Sequence, residues 1–170
     1  MDISDTAIAG IPNYDMFVDA AYTSMQFRGK TLEHWTEELE FNDLYEGMDH
    51  HSLKNYNFDF ANKARIIMNN LAYARSSVKA CEMHYETQVN REKERISRNW
   101  EEEYPNVRKP SIDAIKTMAE NKCAEALIAK NIAEMFLMYW QSQYDKVKII
   151  DSRLQGIGYL QGLEMKNSHI

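Results

Sequence analysis

The chain has 170 residues, 44% of them hydrophobic and 27% charged. That length suits one modest domain, and the composition is globular, which excludes wholesale disorder. A net charge of −6 excludes a protein that coats nucleic acid by bulk charge alone.

The charge is unevenly spread. Residues 1–59 carry three Lys and Arg against twelve Asp and Glu, giving −9, and residues 60–110 carry ten against seven, giving +3. Residues 111–170 balance at seven of each. A basic middle joined to an acidic arm leaves nucleic-acid contact open at the middle. Six Gly and three Pro are few, which favours long uninterrupted helices. The acidic start, Met1-Asp-Ile-Ser-Asp5, has no basic segment followed by an apolar run, so no secretory leader is expected. The longest apolar stretch, residues 135–140, is far short of a membrane span. A soluble cytoplasmic protein without a membrane partner is the expectation.

In chain order, residues 1–30 predict a loose start and one short helix around Met16, Phe17, Val18 and Ala21. Thr31 then suits a helix N-cap, with Glu33 and His34 in the first turn and Leu32, Trp35 and Leu39 on one apolar face. Gly47, His50, His51, Asn55 and Asn57 predict a non-helical crossing over about 49–57, with Leu53 and Tyr56 available to pack inward. Residues 1–58 are thus expected to form an acidic N-terminal arm with short helices.

Residues 59–170 predict a long helical hairpin: a helix over about 59–103, a turn over 104–110 and a helix over about 111–162. Asp59 is the expected cap of the first helix. Phe60, Ala64, Ile67, Leu71, Ala74, Val78, Cys81 and Tyr85 follow at steps of three and four, which is a heptad seam. A four-residue step then reaches Val89, and the seam resumes at Ile96 and Trp100; such a step locally unwinds a coiled coil. Pro105 and Pro110 end the helix and form the turn.

Ser111 caps the second helix, with Asp113 in its first turn. Its seam runs Ala126, Ala129, Ala133, Phe136, Trp140, Val147, Ile150, Leu154 and Ile157, with Gln143 filling the one seven-residue gap. A stripe this long must be buried against another long helix. Gly156, Gly158 and Gly162 are expected to loosen the helix end, and no strand-period alternation occurs anywhere. With the hairpin folded near residue 107, Cys81 and Cys123 sit ten positions out of register, roughly 15 Å along a helix, too far for a disulfide.

No catalytic constellation emerges, so a non-enzymatic protein without cofactor or metal is expected. The glycines from Gly156 to Gly162 superficially resemble a nucleotide-binding loop, but they follow a helix rather than a strand. His50, His51, Asp49 and Glu46 form a polar cluster whose adjacent side chains point apart, and His84 lies on a different helix face from Glu82 and Glu86. The basic residues are more suggestive. Arg91, Arg95 and Arg98 follow i, i+4, i+7 along one face, with Lys93 beside them and Arg75 and Lys79 as an earlier i, i+4 pair. The plain reading is a solvated face balanced by Glu82, Glu86, Glu92 and Glu94. The functional reading is a phosphate-tracking ridge, with Trp100 and Tyr104 near its end to stack bases.

Lys93, Arg95, Ile96 and Trp100 on the first helix, the Pro-containing turn, and Ser111, Ile112, the Ala-rich stretch 124–133, Trp140 and Arg153-Leu154 on the second occur in a distinctive order. Over residues 38–163 this order resembles the UvsY-like recombination mediators of tailed phages. The resemblance implies DNA recombination and repair in the host cytoplasm. It implies binding of single-stranded DNA through the basic segment, assembly into homo-oligomeric rings, and loading of a RecA-type recombinase onto strands covered by single-strand binding protein. Glu92 and Glu94 dilute the basic segment here, and the acidic N-terminal extension is longer than the family pattern.

The expected fold is all-α: a long antiparallel, coiled-coil-like hairpin with a small N-terminal helical segment. Apolar residues off the seam, Ile132, Met135, Met138 and Ile149 among them, predict an oligomer interface. The rival expectation is a structural or adaptor helical protein of phage type that never touches DNA.

Overall fold

The computed structural model describes residues 22–41 and 48–167. The short helix expected around Met16 and the position of Glu46 lie outside them. The chain divides into two compact units, residues 1–63 and 64–170.

In the first unit a minimal β-hairpin precedes a short helix. Strand β1 (Gln26–Phe27) pairs antiparallel with β2 (Lys30–Thr31), with Gln26 opposite Thr31 and Phe27 opposite Lys30. Arg28 and Gly29 make the turn with φ of 52° and 83°. Positive φ at both central residues is the pattern that matches strand twist in a two-residue hairpin. These strands run against the expectation of none, because two residues are too few to display alternation. Helix α1 (Leu32–Glu38) starts where expected: the Thr31 hydroxyl accepts from the His34 amide, and Glu33 lies in the first turn. Leu32, Trp35 and Leu39 are buried with Phe27, and Trp35 Nε1 donates to the Phe27 carbonyl at 2.9 Å. The hairpin is thereby tied to the helix.

Helix α2 (His50–Glu103) replaces the expected crossing over 49–57 and the expected start at Asp59. Asp49 is the effective cap, since its Oδ1 accepts from the Ser52 amide at 2.7 Å. The His and Asn residues that suggested a loop cost only a few tenths of a kcal/mol each in a helix. No Gly or Pro interrupts residues 48–103, and Leu53 and Phe60, seven apart on one face, are both buried. Burial of that face outweighs the weak local preferences.

In the second unit α2 packs against the last helix along the predicted stripes. Ile67, Leu71, Ala74, Val89, Ile96 and Trp100 are buried on one side, and Ala133, Phe136, Trp140, Val147 and Ile150 on the other. Gln143 fills its seam position and is buried, as is Asn70 on α2. Ala129 departs from the prediction and is exposed.

The second half is two helices, α3 (Ile112–Lys122) and α4 (Ala124–Asn167), rather than one. Ser111 caps α3 as expected, its Oγ accepting from the Ala114 amide. Cys123 ends α3 with an i→i+3 bond to the Glu120 carbonyl, and α4 restarts at the next residue. The register of the two long helices accounts for the break. Arg75 donates to Gln141 Oε1 at 3.1 Å, and these residues stand 33 positions before and 33 after Arg108 in the turn. The same register sets residue 93 opposite 123. Around these points both seams take two successive steps of four, 85–89–93 and 115–119–123. Both helices must adjust phase at that level, and α3 does so by tightening its last turn. At the far end α4 continues through Gly156 and Gly158 to Asn167. About 1 kcal/mol for each Gly does not stop a helix whose Leu154 and Ile157 remain half-buried.

Among the described residues no helix is long and apolar enough to cross a membrane, and Cys81 and Cys123 are free thiols.

Candidate nucleic-acid interface

The hairpin turn is held by its own side chains. Trp100 Nε1 donates to the Val107 carbonyl at 3.1 Å, and Lys109 Nζ reaches back to the Ser97 carbonyl at 2.8 Å. Asn106, at φ 69°, supplies the left-handed residue the turn needs. Val89, Ile96 and Trp100 form a core cluster with Ile115, Ala119 and Cys123, flanked by Tyr85 and Met118.

This cluster separates the basic residues from one another. Arg91 and Arg98 lie on the side of α2 away from it, exposed, and neither forms an ion pair among the described residues. Seven residues along a helix set their backbones about 10 Å apart on one face. Arg95 belongs to that face by spacing but is neutralised locally. Its Nε binds Glu92 Oε2 at 3.0 Å and its NH1 binds Glu103 Oε1 at 2.8 Å. The hydrogen bond to Glu92, with the charges of both carboxylates, holds the guanidinium protonated even more firmly than usual.

Lys93 is two residues from Arg91, hence roughly 200° around the helix, at a seam position and half-buried. It does not extend the ridge. Arg75 and Lys79 are exposed but about three to four turns nearer the chain start than Arg91, and Arg75 is engaged by Gln141. Trp100 is only 7% exposed and packs in the core, so its ring is not open to a base. The open ring at that end is Tyr104, stacked on Trp100 with centroids 4.4 Å apart.

The expected interface residues divide similarly. Met138 and Ile149 are 68% and 55% exposed, whereas Ile132 and Met135 are half-buried. Leu127 and Leu160 also stand exposed, and sequence reasoning missed both. Their signal was present: Leu127, Met138, Ile149 and Leu160 recur every eleven residues. Eleven residues make three turns with about 20° left over, so these four form one nearly straight stripe outside the seam. Beside it a shallow surface groove is lined by Arg75, Leu137, Met138, Gln141, Ser142 and Asp145.

Cys123 is a buried thiol at the end of α3. Burial pushes its pKa up, and the nearby Glu92 carboxylate pushes it further. A protonated buried thiol is a poor nucleophile. Among the described residues no group of three or more His, Cys, Asp or Glu converges as a metal site would require.

Comparison of the chain with protein-family profiles, with curated proteins and with solved structures found no match.

Proposed function

We propose that the protein is a non-enzymatic recombination mediator that binds single-stranded DNA and helps load a RecA-type recombinase onto strands covered by single-strand binding protein. The observation that carries this reading is the pair Arg91 and Arg98. These two exposed guanidiniums share one face of a rigid helix, with no carboxylate partner among the described residues. Such a pair is suited to successive phosphates of a flexible strand. Lys79 and Arg75 extend cationic character along α2. Arg95 serves mainly to hold Glu92 and Glu103, and Trp100 holds the turn.

Two phosphate contacts per chain are too few for tight binding, so the reading includes a homo-oligomer in which copies repeat the ridge and multiply the contacts. The stripe Leu127, Met138, Ile149 and Leu160, with Ile132 and Met135 at its margin, is the apolar surface that association would cover. In this reading the seam is coiled-coil-like and each copy contributes one hairpin to a ring.

The adaptor reading, in which the helices bind only protein, is favoured by one observation. Glu92, Glu94 and residues 101–103 set five carboxylates against the four cations of residues 91–98. Fluorescence anisotropy with a labelled oligo-dT strand separates the two. The mediator reading expects binding that weakens in Arg91→Ala/Arg98→Ala while circular dichroism stays unchanged. A parent chain that leaves the strand free at low salt establishes the adaptor instead.

A further inference from the structure

We propose that Tyr104, at the tip of the helical hairpin, is the ring on which a nucleobase stacks; the proposal rests on the single-strand reading above and fixes where its base contact lies. The sequence offers two aromatic residues at the end of the ridge, and the structure separates their roles. Trp100 is 7% exposed and belongs to the core cluster. Tyr104 lies over it at 4.4 Å and 26°, so one face of the phenol ring is covered by the indole. Tyr104 as a residue nevertheless remains 39% exposed, whereas Trp100 beneath it is buried, so the side of the stack open to solvent is that of Tyr104.

The platform beneath Tyr104 is built before any ligand arrives. Tyr104 closes the last turn of α2 through its amide to the Trp100 carbonyl at 2.9 Å, and the Val107 amide bonds back to the Tyr104 carbonyl at 3.2 Å. Trp100 Nε1 fastens the same loop to the Val107 carbonyl from the core side, and Lys109 Nζ ties it to the Ser97 carbonyl at the surface. A base adding to this stack as its third ring therefore orders little that is not already ordered.

The charges around the tip fix the kind of contact. Arg98, Arg108 and Lys109 stand against Glu101, Glu102 and Glu103 over residues 98–109, so this segment has no net charge. Arg98 and Arg108 are exposed and form no ion pair among the described residues, which leaves each able to meet one phosphate beside the ring. Because the segment is balanced, the contribution of Tyr104 comes from the face of the base. It is blind to sequence and nearly independent of salt, unlike that of Arg91 and Arg98.

The test uses the full chain and two strands of equal length and phosphate count, oligo-dT and an abasic deoxyribose-phosphate oligomer, titrated at several salt concentrations. The parent is expected to prefer dT by about tenfold, in line with one stacked base. Tyr104→Ala should abolish that preference and leave the salt slope unchanged. Tyr104→Leu, which keeps an apolar cover on Trp100, should do the same, and Tyr104→Phe should retain the preference. Equal binding of both strands by the parent overturns the proposal and leaves the single-strand reading standing, as does a preference that survives Tyr104→Leu. If the parent binds neither strand, the single-strand reading itself fails and Tyr104 has no base to meet.

Discussion

Arg95 illustrates how residue spacing and residue function part company. Its place between Arg91 and Arg98 suits the ridge, yet Glu92 and Glu103 hold it at 3.0 and 2.8 Å. A guanidinium shared between two carboxylates has little attraction left for phosphate, and a surface pair of this kind adds little stability. Glu103→Gln should therefore release part of Arg95 and remove one negative charge. Single-strand affinity at low salt should rise, and an unchanged or weaker affinity would show that Arg95 does not face the strand. Trp100 is the opposite case, a residue suited by type to stacking that the core claims. Trp100→Ala should cost about 3–5 kcal/mol in urea unfolding, the range for a large buried aromatic. A loss below about 1 kcal/mol, the scale of a surface substitution, would contradict its burial. At Cys123, burial and then Glu92 raise the thiol pKa. In a Cys81→Ser background its alkylation rate should keep climbing above the pH at which an ordinary thiol levels off. Folding stability should fall over the same interval, because the unfolded chain releases that proton first. A rate that levels off at ordinary thiol pH would place Cys123 in water. The seam position of Trp100 and a local role for Glu92 were legible in the sequence, whereas the hold of Glu103 on Arg95 and the upward shift at Cys123 were not, since these depend on what a distant or facing residue does.

At the scale of elements, periodicity was the dependable signal and loop-forming composition the misleading one. The seams of α2 and α4 were readable because seven-residue repeats of Ile, Leu, Ala and Trp seldom arise except where two helices bury a shared stripe. The caps at Thr31 and Ser111 stand as local chemistry predicts. The start of α2 was misplaced by nine residues, since His and Asn mimic a loop at little helical cost. The break at Cys123 was hidden because it answers a phase change shared between two helices, and neither sequence alone carries that. Ser111→Ala removes the hydroxyl that accepts from the Ala114 amide at 3.3 Å and should cost about 1 kcal/mol, read by urea unfolding. No measurable loss would mean that water caps α3 equally well.

For the whole molecule, mediator function requires copies of the chain to associate and a strand to track their ridges. The apolar row Leu127, Met138, Ile149 and Leu160 is exposed along its length, which makes it the natural surface for association. Met138→Glu/Ile149→Glu leaves the buried seam untouched and should convert the oligomer to a 19.9 kDa monomer by light scattering. A parent chain already monomeric at micromolar concentration would rule association out. The hairpin, its turn and this outer surplus of apolar residues could be read from the sequence. The eleven-residue order within the surplus is masked there by the denser seven-residue repeat of the seam. The most direct measurement of strand binding is the salt dependence of oligo-dT affinity in the parent and in Arg91→Ala/Arg98→Ala. The two phosphates met by Arg91 and Arg98 contribute about −1.4 to the log–log slope for each subunit engaged, from about −0.7 per phosphate on single strands. The double variant should flatten the slope by about that amount and bind more weakly at low salt. A slope and affinity left unchanged by the two substitutions would contradict the claim that this face of α2 carries the strand.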